Sequence, residues 1–86
     1  MRLTGKLYLY ILFFNMVRDF FYHRLGKAII RIREKKGLTQ EQTALLCDIN
    51  RSHFARIEEG RANPSIKTLN KIARILRVKI YNMLKG

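Results

Sequence analysis

The pattern of apolar and polar positions predicts two short helices between Thr39 and Gly60, with a tight turn between them. Thr39 is a favourable N-cap for the first helix, and Gln42, three residues later, completes a capping box. Residues 47–50 then break the helix, because their aspartate and asparagine tolerate turn geometry and Ile49 places an apolar side chain between them. Gly60 is well placed to end the second helix.

The second helix, at about residues 51–59, is predicted to bury one face and expose the other. Asn50 is a strong N-cap, and Phe54 and Ile57 are three apart and therefore face inward. The side chains predicted to face outward and to contact DNA bases are Arg51, Ser52, His53 and Arg56. Arginine offers a planar pair of donors that matches the major-groove edge of guanine. The major groove of DNA is therefore the leading candidate for what this face contacts.

Helical spacing continues on both sides of these two helices, so the sequence predicts an all-α fold. Before them, a helix from about Leu25 to Lys36 turns Leu25, Ile29 and Ile32 towards the core, and Gly37 ends it. After them, Pro64 blocks helix continuation and Ser65 caps the next helix. The apolar residues predicted for the buried face of that helix are Ile66, Leu69, Ile72, Ala73 and Leu76.

The chain ends in a short amphipathic turn that carries Ile80, Met83 and Leu84. A helix this short does not bury its apolar side alone, so contact with a second subunit is its expected use. The 86 residues make one domain, and a core of this size is marginal without a partner subunit.

The formal net charge of +12 decides which class of partner to expect. So basic a small domain favours a polyanion, and nucleic acid and an acidic membrane surface are the two candidates. The single cysteine, Cys47, excludes an internal disulfide and fits a reducing cytoplasm. Because Cys47 falls on the inner face of a helix, we expect a buried small hydrophobic side chain there rather than a reactive thiol.

The run from Leu25 to Leu84 resembles a Cro/repressor-type (xenobiotic-response-element) helix-turn-helix domain. The matching residues are GLTQE at Gly37 to Glu41, Ala44, the pattern formed by Arg51, Ile57, Glu58 and Gly60, and NPS at Asn63 to Ser65. Three positions depart from the family pattern: Asp48 replaces the usual turn glycine, Thr43 a leucine, and Leu45 a polar residue. The last two departures suggest that the first helix of the motif packs against something extra.

The resemblance implies a five-helix, lambda-repressor-like bundle that binds a palindromic operator in double-stranded DNA as a homodimer, with the second helix of the motif in the major groove. Restriction–modification controllers and phage-type repressors share this build. The residues expected to contact phosphate are Gln40, Arg61, Asn63 and Lys67. Arg33 and Glu58 are expected to form a structural ion pair, with Gln40 also bracing the reading helix. The expected dimer contacts are Ile80, Met83 and Leu84.

Residues 1–24 form an apolar amino-terminal extension that lies outside this resemblance, and residues 25–86 form the helix-turn-helix domain. Leu7 to Phe14 is an unbroken apolar run, but no small-residue cleavage site follows it, so a cleaved signal peptide is not expected. The run also falls well short of the roughly 20 apolar residues that span a bilayer.

Three interpretations of this extension remain open. It packs as an extra strand or helix on the domain or across the dimer; it anchors the protein loosely at a membrane surface; or it is a poorly ordered extension that precedes a natural start at Met16. An exposed apolar octamer favours aggregation, so some burial is expected. Leu45 and Leu46 are the candidate docking site within the chain.

The sequence does not favour an enzyme. Its six carboxylates are scattered, its two histidines lie far apart, and no nucleophile, base and orienting group are arranged for catalysis. No glycine-rich phosphate loop is present, and one cysteine with two histidines makes a metal site improbable, so no cofactor is expected. An antitoxin or another protein-binding module of the same fold is the main alternative function. Membrane attachment through Leu7 to Phe14 is a less favoured one.

Overall fold

The computed structural model describes residues 4–85, and all regular elements in that range are helices. They are α1 (Gly5–Lys35), α2 (Gln40–Leu46), α3 (Arg51–Glu58), α4 (Ile66–Leu76) and α5 (Ile80–Leu84). This confirms the predicted all-α, five-helix fold, in which α2 and α3 form the helix-turn-helix.

The amino-terminal extension and the first predicted helix form one continuous helix, α1. Its N-cap is Thr4, whose hydroxyl accepts a hydrogen bond from the backbone N–H of Leu7 at 3.3 Å. No proline interrupts the 31 residues of α1, so the helix runs through the expected boundary between residues 24 and 25. What changes at that point is burial, because Leu25 and Ile29 are fully buried whereas most side chains before them are exposed.

The apolar run does not pack on the domain of its own chain, which was one of the interpretations left open. Leu9, Phe13 and Phe14 are 65%, 62% and 68% exposed. The expected docking site is also uncovered, since Leu45 is 79% and Leu46 56% exposed. The physical reason is the continuity of α1: an uninterrupted helix carries the run away from the domain instead of folding it back over α2.

All five helices contribute to a single core. Its buried apolar residues are Leu25, Ala28 and Ile29 of α1, Ala44 of α2, Cys47, Phe54 and Ile57 of α3, Leu69, Ile72, Ala73 and Leu76 of α4, and Met83 of α5. Ile66, predicted for the buried face of α4, is instead 64% exposed. It lies in the first turn of α4 and at the edge of the apolar stripe, where no neighbouring helix covers it.

The position of α5 corrects the expected role of Met83. Its side chain is completely buried in the core of its own chain, so it offers no surface to a second subunit. Ile80 and Leu84 are half-buried and pack against the same core. This short helix therefore buries its apolar side against α1 and α4, which the sequence pattern did not indicate.

Helices α1 to α4 all end in the same hydrogen-bonded motif. The residues that adopt a left-handed conformation are Gly37, Asp48, Gly60 and Arg77, with φ of 75°, 55°, 75° and 57°. In each case the N–H of the next residue donates to the carbonyl five positions earlier, as from Ile49 to Ala44 at 2.9 Å. This Schellman motif satisfies backbone carbonyls that the helix end otherwise leaves unpaired.

Helices α1 and α3 approach each other so closely at Gly26 that their backbones touch. A Cβ atom at Gly26 would lie 2.7 Å from the carbonyl oxygen of Ile57 and closer still to that of Glu58. Gly60 makes a second close approach, where a Cβ atom would lie 2.7 Å from the Cα of His23. The end of α3 is therefore set directly on the backbone of α1.

We expect Gly26→Ala to destabilise the protein by about 2–3 kcal/mol, because two backbone carbonyls cannot move aside as a flexible side chain would. Gly5→Ala is the matched control on the same helix. Nothing lies within 4 Å of a Cβ atom at Gly5, so this variant should be neutral or slightly stabilising. Urea denaturation of both variants measures the difference, and equal stability of the two would contradict the close approach.

Candidate nucleic-acid interface

The outer face of α3 carries most of the residues predicted to contact bases. Arg51, Ser52 and Arg56 are exposed, whereas His53 is half-buried. Ser52 and Arg56 are four residues apart and therefore lie on one face, opposite the fully buried Phe54. This arrangement leaves one hydroxyl and two guanidinium groups on a helix surface that nothing in the chain covers.

Asn50 fixes the start of α3. Its side-chain oxygen accepts hydrogen bonds from the backbone N–H groups of Ser52 and His53, at 2.8 Å and 3.3 Å. Two of the four amides that a helix start leaves unpaired are satisfied in this way. The first turn, which carries Arg51 and Ser52, is therefore held in helical geometry without any contribution from a ligand.

The turn between α2 and α3 is set by Asp48. This residue takes the left-handed conformation, and its N–H donates to the carbonyl of Leu45 at 3.1 Å. Aspartate is one of the few residues other than glycine that visit this region routinely. Asp48 thus adopts the backbone conformation that glycine favours at such a turn.

A buried carboxylate joins α1, α2 and α3. Glu58 is 1% exposed at its side chain and accepts two hydrogen bonds from Arg33, at 2.6 Å from Nε and 3.2 Å from Nη2. The same guanidinium donates from Nη1 to the carbonyl of Leu38 at 2.7 Å. No buried side-chain nitrogen or oxygen of residues 4–85 lacks a hydrogen-bond partner. Arg33 and Glu58 lie inside the fold and outside the exposed face of α3.

Gln40 completes this network. Its amide nitrogen donates to Glu58 Oε1 at 2.7 Å, which ties the first residue of α2 to the last residue of α3. One of its two amide hydrogens is engaged in this bond, and the other remains available to an external acceptor. The geometry therefore provides the bracing contact that the family resemblance implies, and it leaves one donor for a phosphate.

The loop between α3 and α4 holds two further residues of the predicted site. Asn63 accepts a hydrogen bond from the hydroxyl of Tyr22 at 2.6 Å, so α1 anchors the loop. Arg61 pairs with Glu59 at 3.2 Å, and both side chains are largely exposed. Arg61, Asn63 and Tyr22 line a cleft of about 270 Å³, which Arg18 of α1 also borders. The structure thus brings two of the predicted phosphate contacts together.

Lys67 lies apart from that cleft. It is exposed in the first turn of α4 and lines a shallow groove with Lys71 and Arg74. Ser65 caps this helix, its hydroxyl accepting from the N–H of Thr68 at 3.1 Å. The groove is strongly basic, so Lys67 belongs to a cationic surface along α4 rather than to the cleft with Arg61.

Cys47 is a buried core residue. Its thiol donates a weak hydrogen bond to the carbonyl of Lys71 at 3.8 Å. Burial raises the pKa of the Cys47 thiol, and the nearby Lys71 charge only partly opposes that shift. A raised pKa keeps the thiol protonated at neutral pH, so the side chain packs as a small hydrophobic group.

Two residues that position the site were not identified from the sequence. Gly26 sets the distance between α1 and α3, and an isolated glycine inside a helical pattern was a usable signal for close packing. Tyr22 anchors the loop that holds Asn63. That contact joins residues 41 positions apart, and no local pattern indicates it.

Among residues 4–85, no group of three or more His, Cys, Asp or Glu side chains is arranged to hold a metal ion. Over the same range, none of the helices combines the length and the apolar character that a membrane crossing requires.

A model of the helix-turn-helix family matches residues 29–81. An HTH-type transcriptional regulator of Bacillus subtilis, derived from the SPbeta prophage, is 36% identical over 61 residues, which are 71% of this chain and 56% of that protein. The immunity repressor protein of Bacillus phage phi105 is 39% identical over 65% of this chain and 39% of its own length. This chain therefore spans about half of the length of these relatives, or less.

Restriction–modification controller proteins match over more of their own length. The control protein C.BamHI of Bacillus amyloliquefaciens is 33% identical over 69% of this chain and 74% of its own. The crystal structure of the controller C.AhdI of Aeromonas hydrophila superposes with a TM-score of 0.71 at 29% identity, covering 72% of this chain and 94% of that one. The controller C.Esp1396I gives 0.70 at 32% identity. The region that the family model matches, residues 29–81, contains α2, α3 and α4.

We expect the buried ion pair to show strong coupling in a double-mutant cycle. Arg33→Met or Glu58→Met alone should cost about 3–5 kcal/mol, because each leaves one charge buried without its partner. The double variant should cost at least about 1 kcal/mol less than the sum, because it leaves no orphaned charge. Urea denaturation gives the free energies of unfolding.

The exposed pair of Arg61 and Glu59 provides the matched control cycle. The same methionine substitutions there should couple by less than about 1 kcal/mol, since exposed ion pairs are screened by solvent. Additive losses at Arg33 and Glu58 would mean that the buried pair does not hold α1 against α3.

Proposed function

Because this chain belongs to the helix-turn-helix family of Cro/repressor-type regulators, we propose that it is a sequence-specific transcriptional regulator that reads double-stranded DNA with α3. The observation that carries this proposal is the exposed face of α3. Arg51, Ser52 and Arg56 are exposed on this face, while the buried ion pair between Glu58 and Arg33 holds α3 against α1. A rigid helix with exposed donors suits insertion into the major groove.

In the proposed complex, base contacts and backbone contacts have different roles. Arg51, Ser52 and Arg56 contact base edges, and His53 contributes from the side of α3 that is half-buried. Contacts to bases carry the sequence information, whereas contacts to phosphate supply affinity and fix the register. The proposed phosphate contacts are Gln40, Arg61, Asn63 and Lys67. None of the four lies on α3: Gln40 and Lys67 are in the first turns of α2 and α4, and Arg61 and Asn63 are in the α3–α4 loop.

The positive charge supports this function in a second way. Arg33 and Glu58 neutralise each other inside the fold, so the formal net charge of +12 comes from the other charged residues, none of which is buried in residues 4–85. A surface of this charge attracts the phosphate backbone over about a Debye length and speeds the encounter. It also predicts binding that weakens steeply as salt is added.

We further propose that the regulator acts as a dimer on paired half-sites. One domain of this size covers too little DNA for operator-level specificity. Two copies with α3 on one side of the duplex read half-sites about one helical turn apart, roughly 34 Å, and a two-fold axis makes the operator palindromic.

A protein-binding role, such as that of an antitoxin, is the second candidate function. The observation in its favour is the exposed pair Leu45 and Leu46 on α2, which nothing in the chain covers. The two functions are distinguished by selection from randomised DNA duplexes. Enrichment of a palindromic sequence supports DNA reading, whereas failure to enrich any sequence favours the protein partner.

We expect Arg56→Ala and Arg61→Ala to weaken DNA binding in different ways. Arg56→Ala should cost about 1–3 kcal/mol on the selected sequence and relax the preference at one base position, because it removes a base contact. Arg61→Ala should weaken selected and scrambled DNA alike and lower the slope of log K against log salt by about 1, because it removes a phosphate contact. Fluorescence anisotropy titrations at several salt concentrations measure both effects.

Arg31→Ala is the matched control for these titrations. It removes the same charge from an exposed position of α1 that points away from the core and from α3. Its loss of affinity should be smaller than that of either variant. If Arg56→Ala weakened selected and scrambled DNA equally, its proposed role in reading bases would be refuted.

A further inference from the structure

The amino-terminal half of α1 exposes an unusual amount of apolar surface. Between Leu7 and Phe21, twelve large apolar side chains are 40–68% exposed. The largest apolar patch on a typical monomer is about 300–600 Å². At roughly half of the area that an aromatic ring can bury, the six aromatic rings of this segment alone provide about 600 Å². The segment is therefore an interaction surface whose partner lies outside the chain.

One stripe of this surface has the spacing of a coiled-coil contact. Leu9, Phe13, Met16 and Phe20 follow one another at intervals of four, three and four residues, and each is 62–65% exposed. This is the alternation of the a and d positions in a heptad. At about 100° per residue, the four side chains fall within a stripe about 60° wide. We call these four residues the α1 seam.

The α1 seam faces away from the domain. On the same helical projection it lies opposite Leu25 and Ile29, which α1 turns into the core. The polar residues Asn15 and Arg18 fall on the side nearer to Leu25 and Ile29, so they do not interrupt the α1 seam. Each side chain of the seam is 62–65% exposed, so no other helix of the described chain covers it between Leu9 and Phe20.

Charged residues limit the α1 seam at both ends. Lys6 precedes it by three residues, and the continuation of the same spacing beyond Phe20 reaches His23 and then Lys27. An apolar partner therefore matches α1 only from Leu9 to Phe20. A helix of the same length with the same limits has that shape, and a second copy of this chain supplies one.

We propose that two copies of this chain dimerise through the α1 seam as an antiparallel helix pair. The two-fold axis passes between Phe13 and Met16. Leu9 then contacts the partner's Phe20, and Phe13 contacts the partner's Met16, on both sides of the axis. At about 100 Å² per side chain, the four seam residues of each chain bury on the order of 400 Å², and the side chains that flank the seam extend this towards the roughly 800 Å² per partner of a stable interface.

Charge selects the antiparallel orientation. In a parallel pair, Lys6 would lie beside the partner's Lys6, and two strongly basic domains would meet at the same end. In the antiparallel pair, Lys6 lies beside the partner's His23, and the domains are at opposite ends. Like charges are then kept apart while the apolar overlap is complete.

The length of α1 connects this dimer to the proposed function, on which the following step rests. Gly26, where α3 packs on α1, lies about 11.5 residues from the two-fold axis. At 1.5 Å per residue, the two copies of Gly26 are separated by about 34 Å along the common axis. That distance matches the 34–36 Å between half-sites one helical turn apart. The α1 seam therefore places the two points at which the end of α3 packs on α1 at about the spacing of paired half-sites.

Sedimentation equilibrium of the full chain tests the dimer. We expect a mass twice that of the 10.2 kDa chain, and we expect Phe13→Glu to return it to the single-chain mass by placing a charge in the α1 seam. Ile11→Glu is the matched control, because it adds the same charge to the opposite face of the same helix, at a side chain that is 41% exposed. Circular dichroism verifies that both variants keep the helical content of the unchanged chain.

A charge-exchange experiment tests the register. Phe13→Glu and Met16→Lys should each be monomeric alone, and an equimolar mixture should recover the dimer mass. In the antiparallel register, the new carboxylate of one chain lies beside the new ammonium of the other. A parallel pair does not bring positions 13 and 16 together in this way, so a mixture that stays monomeric overturns the proposed register.

Three results would overturn the proposal. They are a single-chain or four-chain mass for the unchanged protein, equal dissociation by Ile11→Glu and Phe13→Glu, and a monomer that sediments with phosphatidylglycerol vesicles through the α1 seam. The outcome is separable from that of the proposed function. A monomeric Phe13→Glu variant still carries Arg51, Ser52 and Arg56 and should bind an isolated half-site as the unchanged chain does. Failure of the unchanged dimer to select any DNA sequence would count against DNA reading alone.

Discussion

The structure depends on one buried carboxylate. Glu58 accepts hydrogen bonds from Arg33 on α1 and Gln40 on α2, so the three helices around the motif are held at a single point. The arrangement is restrictive because a buried charge must keep all of its partners. A shift of α3 along α1 would separate Glu58 from both donors at once. The outer face of α3 is therefore presented in one orientation, which is what the recognition of a fixed pattern of bases requires.

Backbone contacts between α1 and the end of α3 reinforce this constraint, because backbone atoms in contact allow less movement than flexible side chains do. Gly26 and Gly60 let α1 meet the end of α3 at backbone distance, and Tyr22 ties α1 to the loop beyond it through Asn63. The loop residues that we assign to phosphate therefore move with α1 and α3 as one unit. Affinity and base recognition are built on the same rigid body, although they use different side chains.

Local signals in the sequence predicted local structure well. The caps at Thr39, Asn50 and Ser65 all form their hydrogen bonds, and Phe54 and Ile57 face inward as their spacing indicates. The errors concern contacts between distant parts of the chain. Nothing in the order of residues showed that α5 would bury Met83 in the core. Nor did it show that the apolar run would extend α1 into solvent and leave Leu45 and Leu46 uncovered. The pairing of Arg33 with Glu58 came from the family resemblance, because spacing alone does not place two residues 25 positions apart in contact.

The uninterrupted course of α1 couples its two ends in rotation as well as in length. Inserting one residue between Phe20 and Gly26 would turn the α1 seam by about 100° relative to the domain and move it by about 1.5 Å. Inserting seven would restore the facing direction almost completely and lengthen the helix by about 10 Å, close to three base pairs of duplex. A change in the length of this helix therefore rotates its amino-terminal end relative to the domain unless the change is close to a whole number of helical turns. A change by whole turns keeps the direction and alters the distance between the DNA half-sites that a pair of domains can reach.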